Sequence, residues 1–389
     1  MSLIFKDINK LSPRYIPKEL PHREEQLKDL LRFYMESLEN RESIQLKTYQ
    51  IIGDVGTGKT VTTLRFGELI QVEGKKSRYE IKCVYVNPKQ HGSSRLLLFR
   101  HIVQQVEPNI FSASYSAEEL MIELMKFLNK KNKYLIIIFD EIDYALRYIR
   151  EPLIYSLTRL NEILPEKRCN VIGVIFTARN NEYLRRLDRA ELSTLGRFYV
   201  EFKPYTARQI YDILEKRVEE AFYPGKVTEE VIEFIADITV APPISGDVRY
   251  ALDLLLYSGR LAENRGEDRV KVDHVRYVLG ITSPIITEED ILYLSDTGKV
   301  VLLSIARALR RKRDPYIRFD EIMDELEEVK KEFKIKSLTL KDVVKNVQDL
   351  EYRGIIEVKG LTEIGITRVP VEKLNNFLDM LIKRLVSHS

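Results

Sequence analysis

Thr48-Tyr-Gln-Ile-Ile-Gly-Asp-Val-Gly-Thr-Gly-Lys-Thr60 is the stretch of this 389-residue chain that decides the fold of its first half. The residues up to Ile52 are mostly apolar or β-favouring and predict a strand. Gly53 to Thr60 fit the pattern G-x-x-x-x-G-K-[ST], and an amphipathic helix begins near Val61. A strand, a glycine-rich loop and a helix in this order predict a phosphate-binding loop, in which backbone N–H groups surround phosphate oxygens.

The whole loop is therefore predicted to bind a nucleotide, ATP or ADP. Lys59 would bring a positive charge to the β- and γ-phosphates, and Thr60 would offer its hydroxyl to Mg²⁺. The predicted nucleotide-binding residues of the loop are Gly53, Asp54, Val55, Gly56, Thr57, Gly58, Lys59 and Thr60.

A second apolar run, Leu135 to Phe139, ends in two adjacent carboxylates, Asp140 and Glu141. Alone, such a pair after a strand is ordinary turn chemistry. Because it follows a phosphate loop at a suitable distance, we expect Asp140 to hold Mg²⁺ through water and Glu141 to be the base that accepts a proton from the attacking water. Asp143 could belong to the site or cap the next helix.

Strand-like bursts alternate with helical patterns up to residue 202, which is the order of a parallel sheet covered by helices. The bursts span residues 48–52, 81–86, 134–139, 171–177 and 197–202. After Pro204 the strand signal disappears, and the predicted helices span 207–222, 229–238 and 247–264.

From residue 299 onward, three predicted helices precede two short strands, the order of a winged helix. The helices span 299–310, 319–333 and 339–353, and the strands span 355–358 and 366–369. The predicted fold class is an α/β P-loop core with a parallel sheet, followed by an all-helical lid and a C-terminal winged-helix domain. The predicted domains are 1–203, 204–284 and 285–389.

Composition narrows the classes of protein to consider. Lys and Arg total 62 against 59 Asp and Glu, a net charge of +3, which excludes a uniformly basic coat and leaves room only for a local nucleic-acid surface. Cys83 and Cys169 lie in apolar runs, so neither a disulfide framework nor a paired-cysteine zinc site is expected. The N-terminus lacks a secretory signal and no apolar run is long enough to span a bilayer, so we expect a cytoplasmic protein with no membrane partner.

The two nucleotide motifs followed by a helical domain resemble the AAA+ ATPases. Two further segments, Tyr15-Ile-Pro-Lys-Glu-Leu-Pro-His-Arg-Glu-Glu-Gln26 and Ser245-Gly-Asp-Val-Arg249, resemble the archaeal origin-recognition and helicase-loading initiators, and this resemblance extends over almost the whole chain. It implies that Pro21, His22 and Arg23 lie beside the adenine. From the residues alone, His22 and Arg23 could equally be solvated residues before a helix.

The resemblance also implies residues that sense the nucleotide. Thr177 and Asn180 are alternative candidates for the first sensor, which follows the strand after Asp140, and Arg249 is the candidate for the second sensor, in the lid. Tyr211 in the first lid helix is assigned to nucleotide binding as well. Arg189 is the candidate for a catalytic arginine finger that completes a neighbouring subunit's site, with Arg197 as the alternate.

DNA contacts are implied at two places. Initiators carry a helical insertion in the core, and the matching loop here offers Asn109, Ser112 and Ser114 as phosphate donors, although it could be an ordinary surface connection. In the winged helix, the third helix would present Lys341, Lys345 and Asn346 to the major groove, and the wing would carry Lys359 and Arg368. The wing departs from the Gly-Arg-Gly-Arg type frequent in the family.

The function predicted from the sequence is an ATP-dependent DNA-replication initiator that binds duplex origin DNA and helps recruit or load the replicative helicase. ATP hydrolysis would be slow and would act as a regulatory switch. Expected partners are double-stranded origin DNA, paralogous initiator subunits and the replicative MCM helicase, in the nucleoid of an archaeon. Two alternatives are an ATP-regulated transcription regulator with a signalling P-loop domain, and a clamp-loading or remodelling AAA+ enzyme.

Overall fold

A computed structural model describes most of the chain. The described residues are 3–39, 44–92, 94–110, 114–149, 151–164, 170–196, 199–242, 244–282, 291–292, 294–312, 314–335, 338–360, 362–367 and 369–387. Close contacts divide them into two compact units. One unit comprises Ile16–Tyr205 with Gly246–Val248, and the other comprises the residues up to Tyr15, Thr206–Ser245 and the chain from Arg249 onward.

The first unit is built on a five-stranded parallel sheet. Its strands are β1 (Lys47–Ile52), β2 (Glu80–Val86), β3 (Lys133–Phe139), β4 (Val171–Ala178) and β5 (Tyr199–Glu201), in the spatial order β2-β3-β4-β1-β5. Ile52 pairs with Ala178, and Phe139 pairs with both Val86 and Phe176. The carboxyl ends of β1, β3 and β4 therefore finish nearly level, and the loops that follow them converge on one edge of the sheet.

Helices cover both faces of this sheet, because alternate residues of each buried strand point to opposite sides. Leu135, Ile137 and Phe139 of β3 face one apolar cluster, whereas Ile136 and Ile138 face another. The helices of this unit are α1 (Glu24–Glu39), α2 (Lys59–Lys76), α3 (Pro88–His91), α4 (Arg95–Val106), α5 (Ala117–Lys131), α6 (Ile142–Tyr148), α7 (Leu153–Thr158) and α8 (Arg189–Leu195). Short 3-10 helices span Pro108–Ile110, Leu160–Glu162 and Asn181–Arg186.

The second unit begins with the N-terminal segment and a set of helices. The helices are α9 (Ala207–Ala221), α10 (Glu229–Val240), α11 (Val248–Asn264) and α12 (Val272–Thr282). The N-terminal segment carries the 3-10 helix Ile8–Leu11, and its Phe5 ring lies 4.8 Å from the Phe222 ring. The contacts thus group the first fifteen residues with these helices, although the predicted domain boundary assigned them to the core.

The remainder of the second unit has the elements of a winged helix. They are α13 (Asp296–Lys312), β6 (Tyr316–Arg318), α14 (Phe319–Phe333), α15 (Leu340–Tyr352), β7 (Glu357–Lys359), β8 (Glu363–Gly365) and α16 (Val371–Ser387). The three strands form an antiparallel sheet in the order β6-β8-β7. The predicted strands 355–358 and 366–369 were wrong in their bounds, since the paired residues are 357–359 and 363–365. Ile355, Ile356 and Ile366 belong to the apolar core of this domain, and their apolar pattern resembled that of strands.

Within the part of the chain that the structure describes, no helix is long and apolar enough to cross a membrane.

Candidate functional site

The phosphate loop lies between β1 and α2, as its pattern predicts. Gly56 and Gly58 have φ values of +74° and +89°, which side chains rarely tolerate. A Cβ on Gly56 would overlap the Asp247 carboxylate, and a Cβ on Gly58 would lie 2.5 Å from the Tyr205 hydroxyl. The loop therefore needs glycine for its conformation and for its close neighbours, and the N-terminus of α2 behind it favours an anion.

Lys59 is the first residue of α2, and its ammonium turns back over the loop. Its Nζ donates to the carbonyl oxygens of Gly53 at 2.6 Å and Asp54 at 2.8 Å, and the Thr57 hydroxyl donates to Asp54 O at 2.9 Å. Asp54 and Val55 at the tip are exposed. The positive charge is thus held at the mouth of the loop, where phosphate oxygens would lie.

Asp140 ends β3 and is the centre of a hydrogen-bonded cluster. Its carboxylate, 3% exposed, accepts from the hydroxyls of Thr60 at 3.0 Å and Tyr85 at 2.6 Å, and from the Thr177 hydroxyl on its other oxygen. These donors come from α2, β2 and β4, which meet where the sheet's carboxyl ends converge. The structure thus brings Thr60 and Asp140, the two residues assigned to Mg²⁺, within hydrogen-bond distance, and their role as metal ligands stays a prediction.

The donor set of Thr60 and Asp140 fits Mg²⁺. This ion prefers oxygen ligands and usually binds through one or two carboxylates together with phosphate oxygens and water. Across the described ranges no group of three or more His, Cys, Asp or Glu could hold a metal by protein ligands alone. Phosphate oxygens of a nucleotide and water would complete the coordination of such an ion.

Glu141 follows Asp140 in a left-handed conformation, with φ of 55°, and its backbone N–H donates to Thr177 Oγ1 at 3.1 Å. Its carboxylate is held by Lys89 of α3, whose Nζ lies 2.8 Å from one oxygen and 3.0 Å from the other. Lys89 Nζ also lies 5.2 Å from the centre of the Tyr144 ring. The candidate base is thus ion-paired in this conformation.

Of the two candidates for the first sensor, the structure places Thr177 in the cluster. Thr177 is fully buried and touches both Asp140 and the Glu141 backbone. Asn180 instead caps the 3-10 helix Asn181–Arg186, accepting from Glu182 N at 3.0 Å. The sensor role itself stays a prediction for Thr177.

Tyr85 and Lys89 are site residues that the sequence analysis missed. Tyr85 lies near the carboxyl end of β2, and Lys89 follows that strand. Because β2 pairs with β3, residues at the carboxyl end of β2 must approach Asp140 and Glu141. Burial, reinforced by the neighbouring Asp140 carboxylate, raises the pKa of the Tyr85 hydroxyl, which keeps it a proton donor to Asp140. The available signal was the polar run that follows β2, from Asn87 to His91.

Pro21, His22 and Arg23 lie before α1, and Arg23 supports the phosphate loop directly. Its guanidinium donates to Thr57 O at 3.0 and 2.8 Å and to Lys203 O at 3.0 Å, and it stacks 4.1 Å from the centre of the Tyr205 ring. Burial lowers the Arg23 pKa. Arg23 is therefore not the solvated residue of the simpler interpretation; contact with adenine stays a prediction for all three.

The other residues assigned to nucleotide chemistry lie on helices. Arg189 is exposed at the first position of α8, whose cap is Asp188. Tyr211 lies on α9 with the Arg208 guanidinium 5.0 Å from its ring centre, and Arg249 is the second residue of α11. Their predicted roles are untested. The alternate finger, Arg197, lies outside the described residues.

In the proposed core insertion, Asn109 lies in the 3-10 helix Pro108–Ile110 and donates to the Glu107 carboxylate at 2.7 Å. Ser114 is exposed, before α5. Ser112 lies outside the described residues. The carboxylate of Glu107 beside Asn109 disfavours a phosphate at that side chain.

The third winged-helix helix, α15, exposes Lys341 and Lys345 as predicted. Asn346 does not share that face. It is 9% exposed, and its amide donates to Asp342 O at 2.8 Å and to Thr297 Oγ1 at 3.3 Å. The prediction that Asn346 enters the major groove therefore needs correction: helical periodicity turns it inward, where it joins α15 to the start of α13. Gln348, which the sequence analysis missed, lies on the exposed face instead.

Lys359 of the wing is exposed but already paired. Its ammonium contacts the Asp237 carboxylate of α10 and lies 5.1 Å from the centre of the Tyr316 ring. Nearby, the buried Arg276 of α12 donates to Ile366 O at 2.6 Å and to Pro315 O at 3.2 Å. Arg276 thus holds the backbone just before β6 and just after β8, at the end of the sheet where Tyr316 pairs with Gly365. Arg368, the other predicted wing contact, lies outside the described residues.

Comparisons with known proteins cover every part of this arrangement. An AAA domain model matches residues 47–187, a Cdc6 AAA+ ATPase-type lid domain matches 211–278, and a CDC6 C-terminal winged helix domain matches 289–369. The chain is 31% identical to an ORC1-type DNA replication protein of Pyrococcus abyssi, over 96% of this chain and 87% of that one.

Two solved structures are similar to the chain. A crystal structure of Cdc6p from Pyrobaculum aerophilum aligns with a TM-score of 0.80 and 27% identity, covering 98% of this chain and all of that one. The Aeropyrum pernix ORC1 protein in complex with DNA aligns with a TM-score of 0.62 and 27% identity, covering 99% and 100%.

Proposed function

The chain belongs to the ORC1-type DNA replication proteins, and from this membership we propose that it binds duplex origin DNA under the control of bound ATP. The observation that carries the proposal is the convergence of the phosphate loop, Asp140 and Thr177 at the level carboxyl ends of β1, β3 and β4. A nucleotide bound there would contact these residues and replace hydrogen bonds that Lys59 and Asp140 make without it.

The chain's own residues divide the work. Lys59 leaves its loop carbonyls for the phosphate oxygens, and Arg23 holds the loop by its Thr57 carbonyl. When bound, Mg²⁺ held by Thr60 and Asp140 supplies positive charge that offsets the charge developing on the phosphates. Tyr85 keeps the Asp140 carboxylate oriented through its hydrogen bond.

Slow hydrolysis is supported by the ion pair of Glu141. To accept a proton from water, its carboxylate must share or leave the ammonium of Lys89, which contacts both of its oxygens. Arg189, exposed at the start of α8, would then act on the site of a neighbouring initiator subunit. ATP hydrolysis would thus serve as a switch that resets DNA binding.

DNA binding is supported by the winged helix. Lys341 and Lys345 on the exposed face of α15 suit phosphate or base contacts in the major groove. The similar structure of the Aeropyrum pernix ORC1 protein is a complex with DNA. Recruitment of the MCM helicase and assembly with paralogous initiators rest on family membership alone. That membership favours an initiator over a transcription regulator or a clamp loader.

Nuclease footprinting tests the proposal. Two sets of genomic fragments are used, one carrying a replication origin and one carrying promoters. Each set is digested with nuclease in the presence of the full chain, with and without ATP and Mg²⁺. We expect protection of origin repeats that depends on nucleotide. Protection of promoters alone would support the transcription regulator, and protection of neither would support the clamp loader.

A further inference from the structure

Two large apolar side chains stand in solvent on α15. Leu340 is 60% exposed and Val344 is 39% exposed, whereas Val343, Val347 and Leu350 of the same helix are buried in the domain core. Core packing therefore accounts for one side of the helix and leaves these two residues without a structural role. The two side chains are neighbours on one exposed face of the helix, so together they offer a small apolar surface to a partner.

The position of Leu340 and Val344 on α15 indicates which partner they contact. Leu340 is the first residue of α15 and Val344 lies one turn further on the same face, since residues four apart are neighbours along a helix. Lys341 and Lys345 are exposed immediately beside them. The N-terminal residues of a recognition helix are those that reach base edges, and flanking lysines suit the phosphates on either side.

We propose that Leu340 and Val344 contact the C5-methyl groups of two thymines in the major groove, so that α15 selects DNA by its thymines. This inference rests on the proposed function. The thymine methyl is an apolar group among the hydrogen-bonding atoms of the major-groove edges, and apolar side chains recognise it. Four residues of helix advance about 6 Å, so the two thymines would lie about two base-pair steps apart.

The size of the effect follows from the buried methyl. Removing one methyl from a contact of this kind should weaken binding about fourfold, and removing two should weaken it roughly 15-fold. Replacing thymine by uracil removes only that methyl, leaving the charges and hydrogen-bonding edges of the base pair in place. The lysine contacts and the salt dependence of binding should therefore be unchanged.

The experiment uses the full chain with ATP and Mg²⁺. Short random-sequence duplexes are selected for binding, and the selected duplex is then prepared with thymine or with uracil throughout. We expect the wild type to bind the thymine form about 15-fold more tightly, with thymines about two steps apart among the selected sequences. The double variant Leu340→Ala, Val344→Ala should bind both forms equally. Met380→Ala, which shortens a side chain 55% exposed on α16, is the matched control and should discriminate like wild type.

Each outcome decides between the claims. Equal affinity of the wild type for the two duplexes, with salt-dependent binding retained, would overturn the thymine contact and leave the proposed function standing. Discrimination retained by the double variant would assign it to other residues and overturn the inference as well. Absence of salt-dependent duplex binding would contradict the proposed function itself and favour a protein partner for this face.

Discussion

Lys89 restrains the candidate base Glu141 through an ion pair. The variant Lys89→Ala should therefore hydrolyse ATP faster than the wild type. The two side chains are 38% and 28% exposed, so water screens their attraction. A partly exposed pair of this kind contributes about 1 kcal/mol. If hydrolysis requires the pair to open, its removal lowers the barrier by that amount, which corresponds to about a fivefold faster step.

The assay is single-turnover hydrolysis of γ-labelled ATP with the chain in excess, so that product release does not limit the rate. The affinity for ATP is measured in parallel and should not change. Lys126→Ala is the matched control, since this exposed lysine pairs with Glu123 at 2.7 Å on α5 and should leave the rate as it is. Raising the salt concentration should reduce the advantage of Lys89→Ala, because salt weakens the wild-type pair.

A Lys89→Ala rate equal to or below that of the wild type, at unchanged ATP affinity, would refute this reasoning. It would mean that Lys89 orients Glu141 productively, or that Glu141 is not the base. Glu141→Gln separates the two meanings. It should abolish hydrolysis in either background if Glu141 is the base.

Three further predictions concern stability and DNA binding. Arg23→Ala should destabilise the first unit by about 3 kcal/mol, because it leaves the buried Thr57 carbonyl of the phosphate loop and the Lys203 carbonyl without their charged donor. Thermal unfolding would show this loss, and Arg32→Ala, on the exposed surface of α1, should change little. Asp237→Asn should release Lys359 for contact with a DNA phosphate. The logarithm of the DNA affinity should then fall by about 0.9 more per log unit of salt, and an unchanged slope would mean that Lys359 does not contact the DNA. Burial, only partly offset by a neighbouring carboxylate, lowers the pKa of His274 from its usual 6.5, so the folded state binds fewer protons than the unfolded one. Stability should fall as pH drops through about 6.5, and urea unfolding on both sides of that value measures it.

The strands and motifs of the sheet were predictable because each carries a strong local signal. β3 and β4 are largely apolar runs and β1 is rich in β-favouring residues, and the residues that follow each strand are polar or glycine. The parallel order of such strands requires their carboxyl ends to meet, so the approach of Thr60 to Asp140 follows from sequence alone. Thr177 was found but not distinguished from Asn180, since only the level ends of β3 and β4 place it beside Asp140.

Other features depend on tertiary contacts that leave no local pattern. β6 has only three residues, and it forms a strand because β8 pairs with it. Ile366 has the side chain of a strand residue, but its carbonyl accepts a hydrogen bond from Arg276. Lys89 follows β2 and Glu141 follows β3, and the two residues meet because these strands are neighbours in the sheet. The prediction for Asn346 was wrong because its amide suits base contacts, whereas its place in the helical period of α15 turns it towards Thr297.

The most direct test of the central claim is the affinity of the full chain for origin duplex DNA, measured by fluorescence anisotropy with ATP and without nucleotide. Lys59→Ala removes the ammonium from the phosphate loop, and Lys76→Ala at the other end of α2, whose lysine is 65% exposed, is its control. We predict that ATP changes the affinity of the wild type and of Lys76→Ala but not that of Lys59→Ala. Equal affinities with and without ATP in the wild type would contradict the claim that the nucleotide controls DNA binding.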